Sequence, residues 1–215
     1  MEILSPLISI VVLIYSAILH EIAHGFVAYR LGDPTAKVRG RLTLNPLPHI
    51  DPMMSVLVPL LLIVSGSPII FGGAKPVPVD PFNLRDGRKD LALVSLVGPL
   101  TNFSLAIIAS ILIHIFYPGM SFFAALNSDI FGFILGQTVF LNLILGVFNL
   151  VPLPPLDGSK VFSMILPPKQ AAIYMSMGSM GMIFLMFLLF FPIGGFSLMN
   201  TVYSLVVFSL SLLGF

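Results

Sequence analysis

Hydrophobic positions in this chain run on rather than alternate. From Ile3 to Tyr29 the only strongly polar side chains are His20, Glu21 and His24, among a few serines. About 20 apolar residues at 1.5 Å rise cross a bilayer, so this run predicts a membrane-spanning helix. A polar stretch, Gly32 to Asp51, follows. Its residues 36–44 alternate in polarity and predict a β-strand or short hairpin. Met53 to Phe71 is apolar but broken by Pro59 and by Gly66-Ser67-Pro68. After a proline-rich loop, Gly72 to Asp90, two strong spans are expected at Leu91–Phe116 and Ile130–Val151. A second proline-rich turn, Pro152 to Gly158, leads into a short amphipathic piece ending near Lys169. The apolar stretches Ala172–Phe191 and Phe196–Phe215 close the pattern. The fold class expected is an all-α polytopic membrane protein of about five or six transmembrane helices, with a hairpin or re-entrant element after the first. One membrane-embedded domain covers 1–215, with a core over about 3–158 and C-terminal helices over 172–215.

Composition sharpens this picture. The chain is 57% hydrophobic and 9% charged, against about 25% charged residues in soluble domains. A lipid bilayer is therefore its expected surroundings, and no stretch is left for a PDZ-like or nucleotide-sensing appendage. The net charge is +1 with no basic tract, which gives no footing for nucleic acid. There is no cysteine, so any metal must be held by nitrogen and oxygen. The first apolar run has no basic leader and no small-residue cleavage site, and is expected to be retained as a working helix.

Positive charge orients the spans. All ten Lys and Arg lie in 30–51, 72–90 and 159–169, while 117–129 and 192–195 hold none. The positive-inside rule puts the three basic loops in the cytoplasm and the N-terminus outside. Met53–Phe71 then has basic loops on both flanks. Its proline and glycine breaks fit an element that enters the membrane and returns to the same side, packed on protein or water, with a continuous crossing as the alternative.

The polar residues of the first run carry the chemistry. His20-Glu21-Ile22-Ala23-His24 has the HExxH spacing: residues i and i+4 share a helix face, so two imidazoles can meet one Zn²⁺, with Glu21 beside them as general base. An ionised glutamate near the bilayer centre costs about 2.5–3.5 kcal/mol on insertion scales, so it rarely sits there without a partner or a task. A third ligand should come from another span at the same depth. Asp157 is the only acidic residue after Asp129. The prolines before it break the helix and Gly158 lets the chain turn, aiming a carboxylate across at the imidazoles. Two histidines and one carboxylate leave a fourth position open, as catalytic zinc requires.

These motifs, with Gly98-Pro99-Leu100-Thr101-Asn102 between them and Asn149 ahead of Pro152-Leu153-Pro154-Pro155-Leu156-Asp157-Gly158, resemble the site-2 protease family of intramembrane zinc metalloproteases. Phe71-Gly72-Gly73-Ala74-Lys75-Pro76-Val77-Pro78-Val79 and Asn45-Pro46 with His49-Ile50-Asp51-Pro52 resemble its compact branch without PDZ or CBS domains, except that Gly73 stands where that branch often has Trp. The resemblance implies a three-helix catalytic core, one zinc on His20, His24 and Asp157, and Glu21 as base. It also implies a transmembrane protein substrate that unwinds and is held as an added strand, cleaved in regulated intramembrane proteolysis at the cytoplasmic side of the cell membrane.

Other residues invite readings of their own. Asn102 and Asn149 are amides in apolar spans. They are candidates for oxyanion support or substrate binding, or for hydrogen bonding between helices. His49 and Asp51 fit either a second metal shell or a loop anchor. His114, at the far end of its span, reads as interfacial, and the methionines at 175, 177, 180, 182 and 186 as packing. Two rival functions remain: a divalent-cation transporter, which would normally show internal repeats, and a catalytically silent membrane adaptor, which would lack a ligand or the base.

Overall fold

The computed structural model describes residues 4–57, 61, 64 and 74–215. Its three long helices are α1 (Leu4–Arg30), α3 (Gly87–Phe116) and α5 (Ile130–Asn149), and each packs against the other two. All three are long and apolar enough to cross a membrane. Their polarity is inverted relative to a soluble bundle. On α1 the buried residues include Ser16, His20, His24, Gly25 and Ala28, while Leu7, Ile10 and Ile14 are exposed. On α3 the inward stripe is Ser95, Gly98, Asn102, Ala106, Ala109 and Ile113, at helical spacing. Lipid gives no hydrophobic drive between helices, so small residues that permit close approach and polar groups that bond across the seam hold such a bundle.

Short elements join these helices. Phe122–Leu126 (α4) lies against α5, where a Cβ on Gly136 would meet Leu126 within 3.1 Å and one on Gly132 would strike the Ala125 carbonyl. After α5 the proline-rich turn leads into α6 (Asp157–Ile165), which packs on α3. Then follow α7 (Pro168–Ser176), α8 (Gly178–Phe190) and α9 (Leu198–Leu212). The α7–α8 pair is bent by 71°, as in a broken span or a re-entrant loop, and α9 is shorter than a full crossing. The described residues thus hold three spanning helices, or four with the bent pair as one.

The strand expected over 36–44 is not there, and among the described residues there is no named strand. Thr35–Val38 (α2) is instead a single helical turn. Asp33 starts it by accepting from the Thr35 backbone N–H at 3.0 Å. Gly40, at φ +63°, ends it, with Gly40 N–H to the Lys37 carbonyl and Arg41 N–H to the Ala36 carbonyl. That pair of bonds around a left-handed glycine is a helix C-cap, so local capping overrides the alternation. Ala36 is fully buried, and a Cβ on Gly25 of α1 would come within 2.9 Å of its methyl. The re-entrant reading of Met53–Phe71, with its breaks at Pro59 and Gly66-Ser67-Pro68, lies outside the described residues apart from a π-helical turn at Pro52–Leu57 and isolated positions.

Candidate metal centre

The i, i+4 spacing on α1 stacks His20 and His24 on its inward face, with ring centroids 4.6 Å apart and ring planes nearly perpendicular. Asp157, the first residue of α6, reaches them from the other side. Its Oδ2 lies 3.1 Å from His20 Nε2 and 3.0 Å from His24 Nε2, and the two Nε2 atoms are 2.9 Å apart. One ligand atom from each residue falls within 4.8 Å of the others, and all three residues are buried. The turn that delivers Asp157 depends on Gly158, where any Cβ would run into the Leu150 and Val151 carbonyls.

Whether this cluster suits a metal can be decided from its outward-facing atoms. His24 Nδ1 sits 2.6 Å from the Val94 carbonyl, which only accepts, so Nδ1 carries the proton and the neutral ring has its lone pair on Nε2. That lone pair points at a second imidazole nitrogen and at a carboxylate oxygen. Two imidazoles and a carboxylate converging on one point, each held from behind, form the nitrogen and oxygen donor set of a catalytic zinc site. Burial pushes the Asp157 carboxyl up, but His20, His24 and the nearby Lys160 outweigh it and hold it well below the usual carboxylate range. Lys160 Nζ lies 3.1 Å from Asp157 Oδ1, the oxygen turned away from the histidines.

Gly98 explains how α3 comes so near. A Cβ there would lie 2.6 Å from His20 Cε1 and closer still to His24. Pro99 next to it has no N–H to give the Ser95 carbonyl one turn earlier. Glu21 faces a cavity of about 370 Å³ shared with His20, His24, Ser95, Asn149 and Asp157. Its Oε2 accepts from the Val77 N–H at 2.6 Å, so a segment 56 residues away closes over the carboxylate.

The two candidate amides separate. Asn102 Oδ1 accepts from His20 Nδ1 at 2.6 Å and its Nδ2 donates to Asn142 Oδ1 at 2.8 Å, so its polar atoms are spent behind the metal ligands. Asn149 Nδ2 donates to the Leu145 carbonyl within its own helix while the residue lines the cavity. His49 is a loop anchor: its Nε2 donates to the Thr43 carbonyl and its own carbonyl accepts from Lys75 N–H. Asp51 accepts from the Met53 N–H. His114 bonds to the Ser110 carbonyl and stacks near Phe215, away from the cluster. Sequence reasoning missed Val94, Asn142, Val77 and Ser95. The first two are separated from the motif by whole helices, and Val77 acts through its backbone.

Known proteins decide the class. The chain is 39% identical over 190 residues to YwhC of Bacillus subtilis, covering 88% of this chain and 83% of that protein. It is 34% identical over 151 residues to Rip2 of Mycolicibacterium smegmatis, covering 66% of this chain and 51% of the relative. Against Rip2 of Mycobacterium tuberculosis it is 34% identical over 185 residues, covering 82% and 64%. Each of the three bears the name "Putative zinc metalloprotease". The chain belongs to this zinc metalloprotease family. The protease is thus a hydrolase whose cofactor is Zn²⁺, and its His20–His24–Asp157 cluster matches that cofactor. No family model matches the chain, and no solved structure matches it. The protease spans 83% of YwhC but only about half to two thirds of the Rip2 proteins.

Proposed function

We propose that this protease cleaves a peptide bond within or near a transmembrane segment of a membrane-protein substrate, as the compact branch of the site-2 protease family would. The observation that carries the reading is the position of the cluster: three buried ligand candidates inside the seam of helices whose outer faces are apolar and exposed. His20, His24 and Asp157 would hold the zinc. Bound there, the metal supplies Lewis acidity that brings a water pKa to about 7 and polarises a carbonyl. Glu21 takes the water's proton and passes it to the leaving amine, a role open to its Oε1 while Oε2 accepts from the Val77 N–H. Asn149, on the cavity wall with amide capacity to spare, is placed to bind the substrate backbone or the developing oxyanion.

A buried site in a multi-pass protein of the cell membrane needs an entry for its substrate. The basic stretches 30–51 and 72–90 flank the Val77 side of the cavity, consistent with a site toward the cytoplasm. The α7–α8 pair would add a crossing to the three-helix core. The test is purified protein in detergent with a single-span peptide substrate. Glu21→Gln should keep one zinc per chain, because Glu21 is not a ligand, yet cleave roughly 10²–10⁴ times more slowly. Normal cleavage by that variant would remove Glu21 as the base. Failure of the wild type to retain zinc would remove the metal site itself, and with it the choice of protease over transporter.

A further inference from the structure

Behind the ligands runs a line of hydrogen bonds joining all three long helices. Asn142 on α5 is fully buried, and its Nδ2 lies 2.9 Å from the Thr138 carbonyl and 2.8 Å from Ser16 Oγ on α1. Asn102 on α3, also fully buried, bridges Asn142 and His20. The donor and acceptor roles along this line follow from one end. A carbonyl only accepts, so the atom of Asn142 facing Thr138 must be its NH₂, and its carbonyl oxygen then faces Asn102. Asn102 must meet that oxygen with its own NH₂, which turns its carbonyl oxygen to His20. His20 Nδ1 must therefore carry the proton, and in the neutral ring Nε2 is then the lone-pair nitrogen toward His24 and Asp157.

We propose that the Asn142–Asn102 pair, anchored on the Thr138 carbonyl and Ser16, sets the tautomer and ring orientation of His20, making both amides positioning residues for the metal. This deepens the zinc protease reading and rests on it. His24 reaches the same state by a shorter route, a single bond to the Val94 carbonyl. His20 has no backbone carbonyl in that role, so its state depends on side chains from two other helices. A carbonyl or amide behind a ligating imidazole fixes its tautomer and raises its basicity, and loss of such a partner typically costs 10–100-fold in metal affinity. Asn102 is thus neither oxyanion donor nor general packing.

The experiment uses the full chain in detergent, with zinc alone as probe. Chelator competition gives the apparent affinity, and ¹⁵N-histidine NMR of the zinc-loaded protein shows the slowly exchanging Nδ1–H of each ligand. Asn102→Ala and the near-isosteric Asn142→Leu should each weaken zinc binding by roughly 10–100-fold. In both, the His20 Nδ1–H signal should lose its exchange protection while that of His24 stays. Ser16→Ala, which leaves the Thr138 bond, should change affinity by less than Asn142→Leu. Unchanged affinity in the two asparagine variants would overturn the proposal. So would the loss of both histidine signals together in Asn142→Leu, because packing damage would not single out His20. Wild-type protein that holds zinc while the variants match it sinks only this inference, whereas wild type that holds none sinks the metal site.

Discussion

The two halves of the three-helix core are built by different rules. In the half holding the site, many buried positions are polar: Ser16, His20, His24, Ser95, Asn102, Asn142 and Asp157. In the other half they are mostly apolar: Ala106, Ala109, Ile113, Leu135 and Val139, with Phe122 inserted from α4 and Val202 and Val206 from α9. The apolar half is held by fit, which tolerates modest changes at the cost of stability alone. The polar half is held by bonds that also set chemical state, so a small displacement there changes what the protein binds. Two closely packed glycines differ in a parallel way. Beside Gly98 an added Cβ would meet both imidazoles at 2.6 Å or less, whereas beside Gly146 it would meet only the Phe103 ring, at 3.0–3.3 Å.

The largest expected effect breaks that contrast at Gly98. Gly98→Ala should displace two rings already fixed by Asn102 and Val94, so zinc affinity should fall by more than about 100-fold, beyond the loss of one outer partner. Gly146→Ala, where one ring can yield, should leave zinc affinity within about twofold. Chelator competition on both variants checks this, and equal effects would erase the distinction between a contact to the ligands and a contact to an apolar ring. Next in size, Ile113→Ala, at a position 1% exposed, should cost about 2–5 kcal/mol of stability by leaving a cavity. Denaturant unfolding in detergent would read that loss, with zinc affinity preserved once the protein is folded.

The smallest effect lies outside both halves, at Asp33. Burial pushes its carboxyl up, but bonds from Thr35, Asn83 and the Asp80 N–H outweigh this and hold it below the usual range. A carboxyl depressed in the folded state stabilises above the unfolded value of about 3.9, and the contribution is lost as pH falls through its folded value. Asp33→Asn should therefore cost about 1–2 kcal/mol near pH 7 and flatten the acid side of the stability profile, as thermal melts between neutral and acid pH would show.

The sequence made the site far more legible than its support. HExxH announces itself because its period matches one helix face, and Asp157 because no other carboxylate remains after Asp129. The long apolar runs named the three core helices for the same reason. Asn142 carries no such mark, since one amide in an apolar span looks alike whether it bonds to its own helix or to another. The Glu21 contact at Val77 is a backbone N–H and has no side-chain signature. Residues 36–44 misled because alternation is a weak signal over a few residues, while Asp33 and Gly40 cap a helical turn around the buried Ala36.

A protease must also spare itself. Lys75 to Asp80 runs without helix or strand beside the cavity, with Pro76, Val77 and Val79 on its wall, so this chain keeps a loose peptide next to its own reaction centre. A peptide is presented for cutting by pairing as a strand through its alternate N–H groups. Pro76 and Pro78 have none to offer. Those of Lys75, Val77 and Asp80 are engaged by His49, Glu21 and Asp33. The segment is left with few N–H groups through which to dock as a foreign strand would, and one of them is held by Glu21.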